Sequence, residues 1–185
     1  MIQEIDEKMN RANMLPIDLY IKKIDEDILK MATLFNFKTL VCNCAGIQTV
    51  APPAITIYKY KYNPEKDFKG PLVKLNSENL EALADYVKSH PNKIQGIILD
   101  FNEFRDKRID YSLLSYKLPF FQIHDIPIVF GSGASSSDQV VPSVTLRAAV
   151  KYFTPVRDPD NSKAYKKFYK NLMAILVQGK YFETH

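Results

Sequence analysis

Three features of the sequence predict an α/β fold in which parallel strands alternate with helices. The first is Ile126-Pro127-Ile128-Val129-Phe130-Gly131-Ser132-Gly133-Ala134-Ser135-Ser136-Ser137-Asp138, an apolar run of strand length that stops at a glycine and gives way to small polar residues. Val140, Val144, Leu146 and Val150 follow at near-helical spacing, so the stretch reads as buried strand, tight loop and helix. The second is that the same order recurs upstream, at 16–42 and again at 72–100. The third is size: 185 residues, 46% of them hydrophobic, suit one sizeable core and a single domain over 1–185.

Taken in order, residues 1–14 are polar and unpatterned, a frayed tail or short helix. Pro16 to Ile21 reads as the first core strand. Asp25 is placed to cap a helix whose apolar face holds Ile28, Leu29, Met31, Ala32 and Phe35. Lys38 to Cys42 is the second strand, and Gly46 to Pro53 a loop closed by two prolines. Ala54 to Tyr62 alternates, with Ile55 and Ile57 on one side and Thr56, Tyr58, Tyr60 and Tyr62 on the other. Its mixture of Lys and Tyr admits an RNA-stacking strand, or a strand end leaving the core with its tyrosines packed sideways.

Asn63 to Gly70 is a loop and Leu72 to Leu75 a short strand. Ser77 is the expected cap of a helix that buries Leu80, Leu83, Ala84 and Val87 and stops at His90-Pro91-Asn92. Lys93 to Asp100 is another core strand. Its terminal Asp100, with Glu103 beyond, admits an acid/base or metal-holding pair; helix capping is the default for an acid there. Asn161 to Gln178 predicts a long amphipathic helix with Ala164, Phe168, Leu172, Ile175 and Leu176 on its apolar side.

Composition narrows the classes. Only 6 glycines argue against a nucleotide binder with several phosphate loops. No apolar run reaches the ~20 residues of a membrane span. Glu4, Asp6 and Glu7 stand where a signal peptide would be basic, so a soluble cytoplasmic protein is expected. Cys42 and Cys44 lie two apart on a strand and are expected to face opposite ways as reduced thiols. With two cysteines and three histidines no metal site or cofactor is expected.

The net charge of +4 is unevenly spread. Residues 1–30 carry seven acids and five bases, whereas 147–180 carry eight bases and two acids. Such asymmetry points to a polyanionic partner. The candidate cations are Arg105, Lys107 and Arg108 in one cluster, then Arg147, Lys151, Lys166, Lys167 and Lys170. Lys163, Lys166, Lys167 and Lys170 fall within eight residues with no acid among them, so no paired charge relieves their repulsion. A solvated lysine face is the plain alternative.

The glycine loop is neither a dinucleotide fingerprint, because Ser136 stands where a third glycine belongs, nor a Walker loop, because no Gly-Lys-Ser/Thr follows. Ser132, Gly133, Ser135, Ser136 and Ser137 remain candidates for holding a phosphate, with a tight turn capped by Ser137 or Asp138 as the alternative. His124 has no nucleophile fixed near it by spacing, and no catalytic residue is assigned.

The block Pro127-Ile128-Val129-Phe130-Gly131-Ser132-Gly133-Ala134-Ser135-Ser136, with Pro142 near the start of the next helix and an Ile17-Asp18-Leu19 strand upstream, resembles the ribonuclease P protein component 3 family. That family is the archaeal counterpart of the thirty-kilodalton eukaryotic subunit. The match covers about 20 residues and is loose elsewhere. Val140-Val141 replaces the arginine that usually precedes the proline, and the segment between Ile109 and Ile126 is short for the family. The resemblance implies a contracted or divergent TIM-like barrel without chemistry of its own. It further implies a role beside protein component 2 in supporting the RNase P RNA, which removes 5′ leaders from precursor tRNA. A small barrel enzyme for a phosphorylated metabolite, with Asp100 and Glu103 as acid/base or metal ligands, is the rival expectation. A plain protein-interaction module is the other.

Overall fold

Strands buried on both faces need near-continuous apolar runs, and each such run here becomes a parallel strand. A computed structural model describes residues 16–44, 52, 54–62, 68, 70–106, 111–154 and 162–178. The strands are β1 (Ile17–Ile21), β2 (Thr39–Cys42), β3 (Thr56–Lys59), β4 (Leu72–Leu75), β5 (Gly96–Asp100) and β6 (Ile128–Gly131). The helices are α1 (Glu26–Leu34), α2 (Leu80–Ser89), α3 (Phe101–Arg105), α4 (Tyr111–Ile123), α5 (Ser143–Phe153) and α6 (Lys163–Gln178), with a 3-10 turn at Ser137–Gln139. The strands form two three-stranded parallel sheets, β1-β2-β3 and β4-β5-β6.

The two sheets meet at β1 and β6. Ile21 pairs with Ala134 in an isolated parallel bridge, Gly133 N donates to Tyr20 O at 2.8 Å, and Lys22 N donates to Ala134 O at 2.9 Å. The seam is tight because Gly131 lies on the Tyr20 backbone: a Cβ there would fall 2.4 Å from Tyr20 N. On the far side the Tyr60 hydroxyl accepts from Leu72 N at 3.2 Å, but among the described residues no ladder joins β3 to β4. Among the described residues the strands therefore do not close into one hydrogen-bonded barrel.

Local chemistry explains the helix bounds. Asp25 caps α1 as expected, its Oδ1 accepting from Ile28 N at 3.0 Å, and Asn36 at φ 58° ends the turn that follows. Ser77 does not cap α2. Asn76 and Asn79 exchange side-chain bonds with each other's backbone N–H at 2.9 and 2.8 Å, and that closed turn sets the helix start. The helix α4 was not foreseen; it is apolar on several sides and carries Pro119 inside.

Two expectations are corrected. Tyr58, Tyr60 and Tyr62 are not a stacking face, nor does their strand end leave the core: all three are buried, and the Tyr62 hydroxyl donates to Leu19 O. A phenol can be buried when its hydroxyl finds a backbone acceptor. Cys42 and Cys44 are not separate thiols but a disulfide, with Cα atoms 5.3 Å apart. Strand alternation fails there because β2 ends at Cys42, and Asn43 N turns to donate to Ile21 O at 2.9 Å. The polar tail at 1–14 and most of the loop at 46–53 lie outside the described residues.

The helix α6 sits at the amino-terminal ends of the strands. The Tyr165 hydroxyl donates to Ile128 O at 2.7 Å and accepts from Ile128 N at 3.1 Å, at the start of β6, and Phe168 packs on Gly96 at the start of β5. Tyr165, Phe168, Leu172, Ile175 and Leu176 form its buried side.

If the seam holds the two sheets together, adding one methyl to it must cost stability. Gly131→Ala is expected to lower unfolding free energy by about 1–3 kcal/mol through overpacking against Tyr20. Urea denaturation measures this, and an unchanged midpoint would contradict the seam.

Candidate functional site

The carboxyl ends of β1, β4, β5 and β6 bring five ionisable side chains into one cluster. Asp18 lies inside β1 and Lys74 inside β4, whereas Asp100 ends β5 and Lys22 and Glu103 follow β1 and β5. The Lys22 ammonium is 2.7 Å from Asp100 Oδ2 and 3.4 Å from Glu103 Oε1. Lys74 meets both oxygens of Glu103, at 2.8 and 2.9 Å, and approaches Asp100 at 3.9 Å. The Lys74 ammonium also stands 5.0 Å from the centroid of the Tyr20 ring.

Burial and pairing divide the carboxyls. Burial pushes Asp18 from 3.8 up to about 6, against hydrogen bonds from Ser132 and Tyr20 that favour its ionised form. Asp100 is likewise raised by burial, although Lys22 opposes the shift. Burial works to raise Glu103 too, but Lys74 and Lys22 outweigh it and hold the group below its usual range. For Lys22, burial favours the neutral amine, and Asp100 and Glu103 more than offset this. Each of Asp100 and Glu103 thus has an ammonium partner from its own chain. Asp100 also serves as the expected helix cap, its Oδ1 accepting from Glu103 N at 3.1 Å.

The serine-glycine turn closes over this cluster. Gly133 takes φ +67°, and a Cβ on it would lie 1.9 Å from Asp100 Oδ1, so only glycine fits. Ser132 N donates to Asp18 Oδ1 at 2.9 Å, Ala134 N to Ser132 Oγ at 3.3 Å and Ser135 N to Gln139 Oε1 at 3.0 Å. Asn102 Nδ2 donates to the carbonyls of Ser132 and Gln139 and fixes the turn from behind. The amides of Ser132, Gly133, Ala134 and Ser135 are thereby used within the protein. Ser135 is exposed, and Ser136 and Ser137 are half-buried.

The sequence-predicted cations are not gathered here. Lys163, Lys166, Lys167 and Lys170 are exposed along α6, at the opposite ends of the strands. Arg147 is half-buried and Lys151 exposed on α5. The Arg105 side chain is 3.4 Å from Asp106 on a largely exposed surface, while Lys107 and Arg108 lie outside the described residues. His124 is exposed beside the Phe120 ring and far in sequence from any member of the cluster.

Sequence reasoning missed Asp18, Lys22 and Lys74 as members of the site. Two signals were present: an acid inside the apolar run Ile17-Asp18-Leu19, and a lysine inside Leu72-Val73-Lys74-Leu75. A charge in a strand buried on both faces needs a partner, so each marks a polar centre. Among the described residues no group of three or more His, Cys, Asp or Glu side chains is placed to hold a metal ion, and no helix is long and apolar enough to cross a membrane.

The Asp18 shift makes a signed prediction. Its folded-state value lies above the unfolded one, so its contribution to stability is complete below about pH 4. That contribution falls as pH rises to about 6, by up to roughly 3 kcal/mol. In Asp18→Asn this fall is absent, so the variant gains relative to wild type across that window. Urea titrations at several pH values test it; parallel profiles would contradict the shift.

Comparisons of the chain with protein-family models, with curated proteins and with solved structures return no match.

Proposed function

We propose that this chain is a non-catalytic RNA-binding subunit of ribonuclease P, acting in the cytoplasm beside protein component 2. On this reading it supports the RNase P RNA and meets precursor tRNA only indirectly. Its two sheets are then the contracted form of a TIM-like barrel, joined at β1 and β6 and, among the described residues, without a ladder between β3 and β4.

The observation that carries the reading is the solvent side of α6. Four lysines, Lys163, Lys166, Lys167 and Lys170, are exposed on a helix that has no acidic residue between Lys163 and Gln178. Its other side is anchored by Tyr165, Phe168 and Leu172. A row of ammonium groups on one helix face suits phosphate contacts, which release counterions and supply affinity without reading sequence. Arg147, Lys151 and Arg105 are further contacts on this reading, with Lys107 and Arg108 continuing the Arg105 cluster. The inward-turned amides of the Ser132–Ala134 turn fit a structural role, with Ser135, Ser136 and Ser137 left as its outward part.

One observation favours a second reading, a small α/β enzyme for a phosphorylated metabolite: Asp100, Glu103, Lys22 and Lys74 converge at the strand ends where such folds place their sites. The ion pairs weigh against it, since each acid is already held by an ammonium.

Binding of structured RNA across a salt series tests the proposal. Log affinity should fall steadily with log salt. Reversing Lys166, Lys167 and Lys170 to Glu should weaken different RNAs alike, by about tenfold or more at low salt, and make the slope shallower by about 2 to 3. A wild-type slope near zero would contradict it. A rise in melting temperature with a phosphorylated metabolite or a divalent ion, without RNA affinity, would favour the enzyme instead.

A further inference from the structure

The helix α5 packs Leu146, Ala149 and Val150 against the core and rests Phe153 on Phe104, with ring centroids 4.3 Å apart. Its other side is unusual in two respects. No acidic residue occurs in Ser143–Phe153, and the two largest apolar residues on its outer side, Val144 and Tyr152, are 67% and 78% exposed. At helical spacing Val144, Ala148 and Tyr152 form one row, and Arg147 and Lys151 the adjoining row.

A helical side chain leans over the preceding turn, and the residue beneath Tyr152 is the exposed Ala148, too small to cover a ring face. Phe153 meets the Tyr152 ring in an edge-to-face pair, at 4.7 Å and 80°, a contact that engages at most one face of a ring that stays 78% exposed. A single exposed aromatic is ordinary. An open ring beside two cations, on a helix without a carboxylate, has the composition of a single-strand platform: the ring stacks a base and the cations meet the flanking phosphates.

We infer that the outer side of α5 binds an unpaired stretch of RNA, with one base stacked on Tyr152 and the backbone on Arg147 and Lys151. The inference rests on the RNA-binding reading above and gives it a strand preference that the lysines of α6 alone would not.

The chain has no tryptophan, so Tyr152→Trp introduces a single reporter at the platform. The probe is an end-labelled purine-rich oligoribonucleotide, offered single-stranded and as a duplex, with label anisotropy reporting binding independently of the tryptophan. Single-stranded RNA should quench the tryptophan and duplex should not. Tyr152→Ala should weaken single-strand binding by roughly five- to 150-fold, whereas Tyr152→Phe should preserve it. Anisotropy binding with unquenched tryptophan and an unaffected Tyr152→Ala overturns the platform and leaves the RNA reading standing. No anisotropy change with any RNA overturns both. Should Tyr152→Ala spare RNA binding but abolish association with a protein subunit, the inference is overturned and this side of α5 is a protein contact.

Discussion

Asp18 holds the two sheets together. Its carboxylate projects from the second residue of β1, wholly buried, and one oxygen accepts from Tyr20 N in its own strand and from Ser132 N just past the end of β6. That second bond crosses 114 residues of sequence. Around it Gly131 lets the β6 backbone approach β1 more closely than any side chain would permit. The same approach lays Gly133 on the carboxylate of Asp100, so one backbone crossing fixes both buried acids. Without the crossing there would be two separate three-stranded sheets, each with a long unpaired edge.

This constraint shapes what each end of the molecule is suited to do. At the carboxyl ends of the strands Asp100 and Glu103 need counter-charges, and Lys22 and Lys74 supply them. The two lysines, already paired, have little interaction energy left for a ligand, because any incoming anion must first break a pair whose remaining partner would be left uncompensated. At the amino ends α6 plugs the strands with aromatic side chains and leaves its lysines outside. Exposed cations give up little by turning to a new partner. A helix anchored by Tyr165 and Phe168 also presents them from a backbone that is already ordered. The geometry thus separates an interior charge centre from exposed cations at the periphery, and this division underlies the RNA reading.

Much of the fold was legible because parallel strands buried on both faces leave apolar runs that no exposed strand would tolerate, as at Ile97-Ile98-Leu99 and Ile128-Val129-Phe130. The stripes of α1, α2 and α6 were legible for the complementary reason, since one wet face imposes a helical period. The helix α4 was not, because Pro119 interrupts the reading and apolar residues on several sides erase the period. The tyrosines of 58–62 misled because burial of a phenol depends on a backbone acceptor contributed by a distant strand, Leu19 for Tyr62 and Leu72 for Tyr60. Of the site, Asp100, Glu103 and the glycine turn were visible as a strand-end motif. Their ammonium partners come from elements 26 or more residues away, and pairing across such distances is set by sheet order, which periodicity does not encode.

The claim that matters most is that the β1–β6 contact is part of the global core and not a loose apposition of two sheets. Native-state hydrogen exchange of the Lys22, Ser132 and Gly133 amides tests it most directly. All three should exchange only through global unfolding, with opening free energies equal to those of the central strand amides of β2 and β5. Exchange of these amides through a lower-energy opening, while β2 and β5 stay protected, would contradict the account.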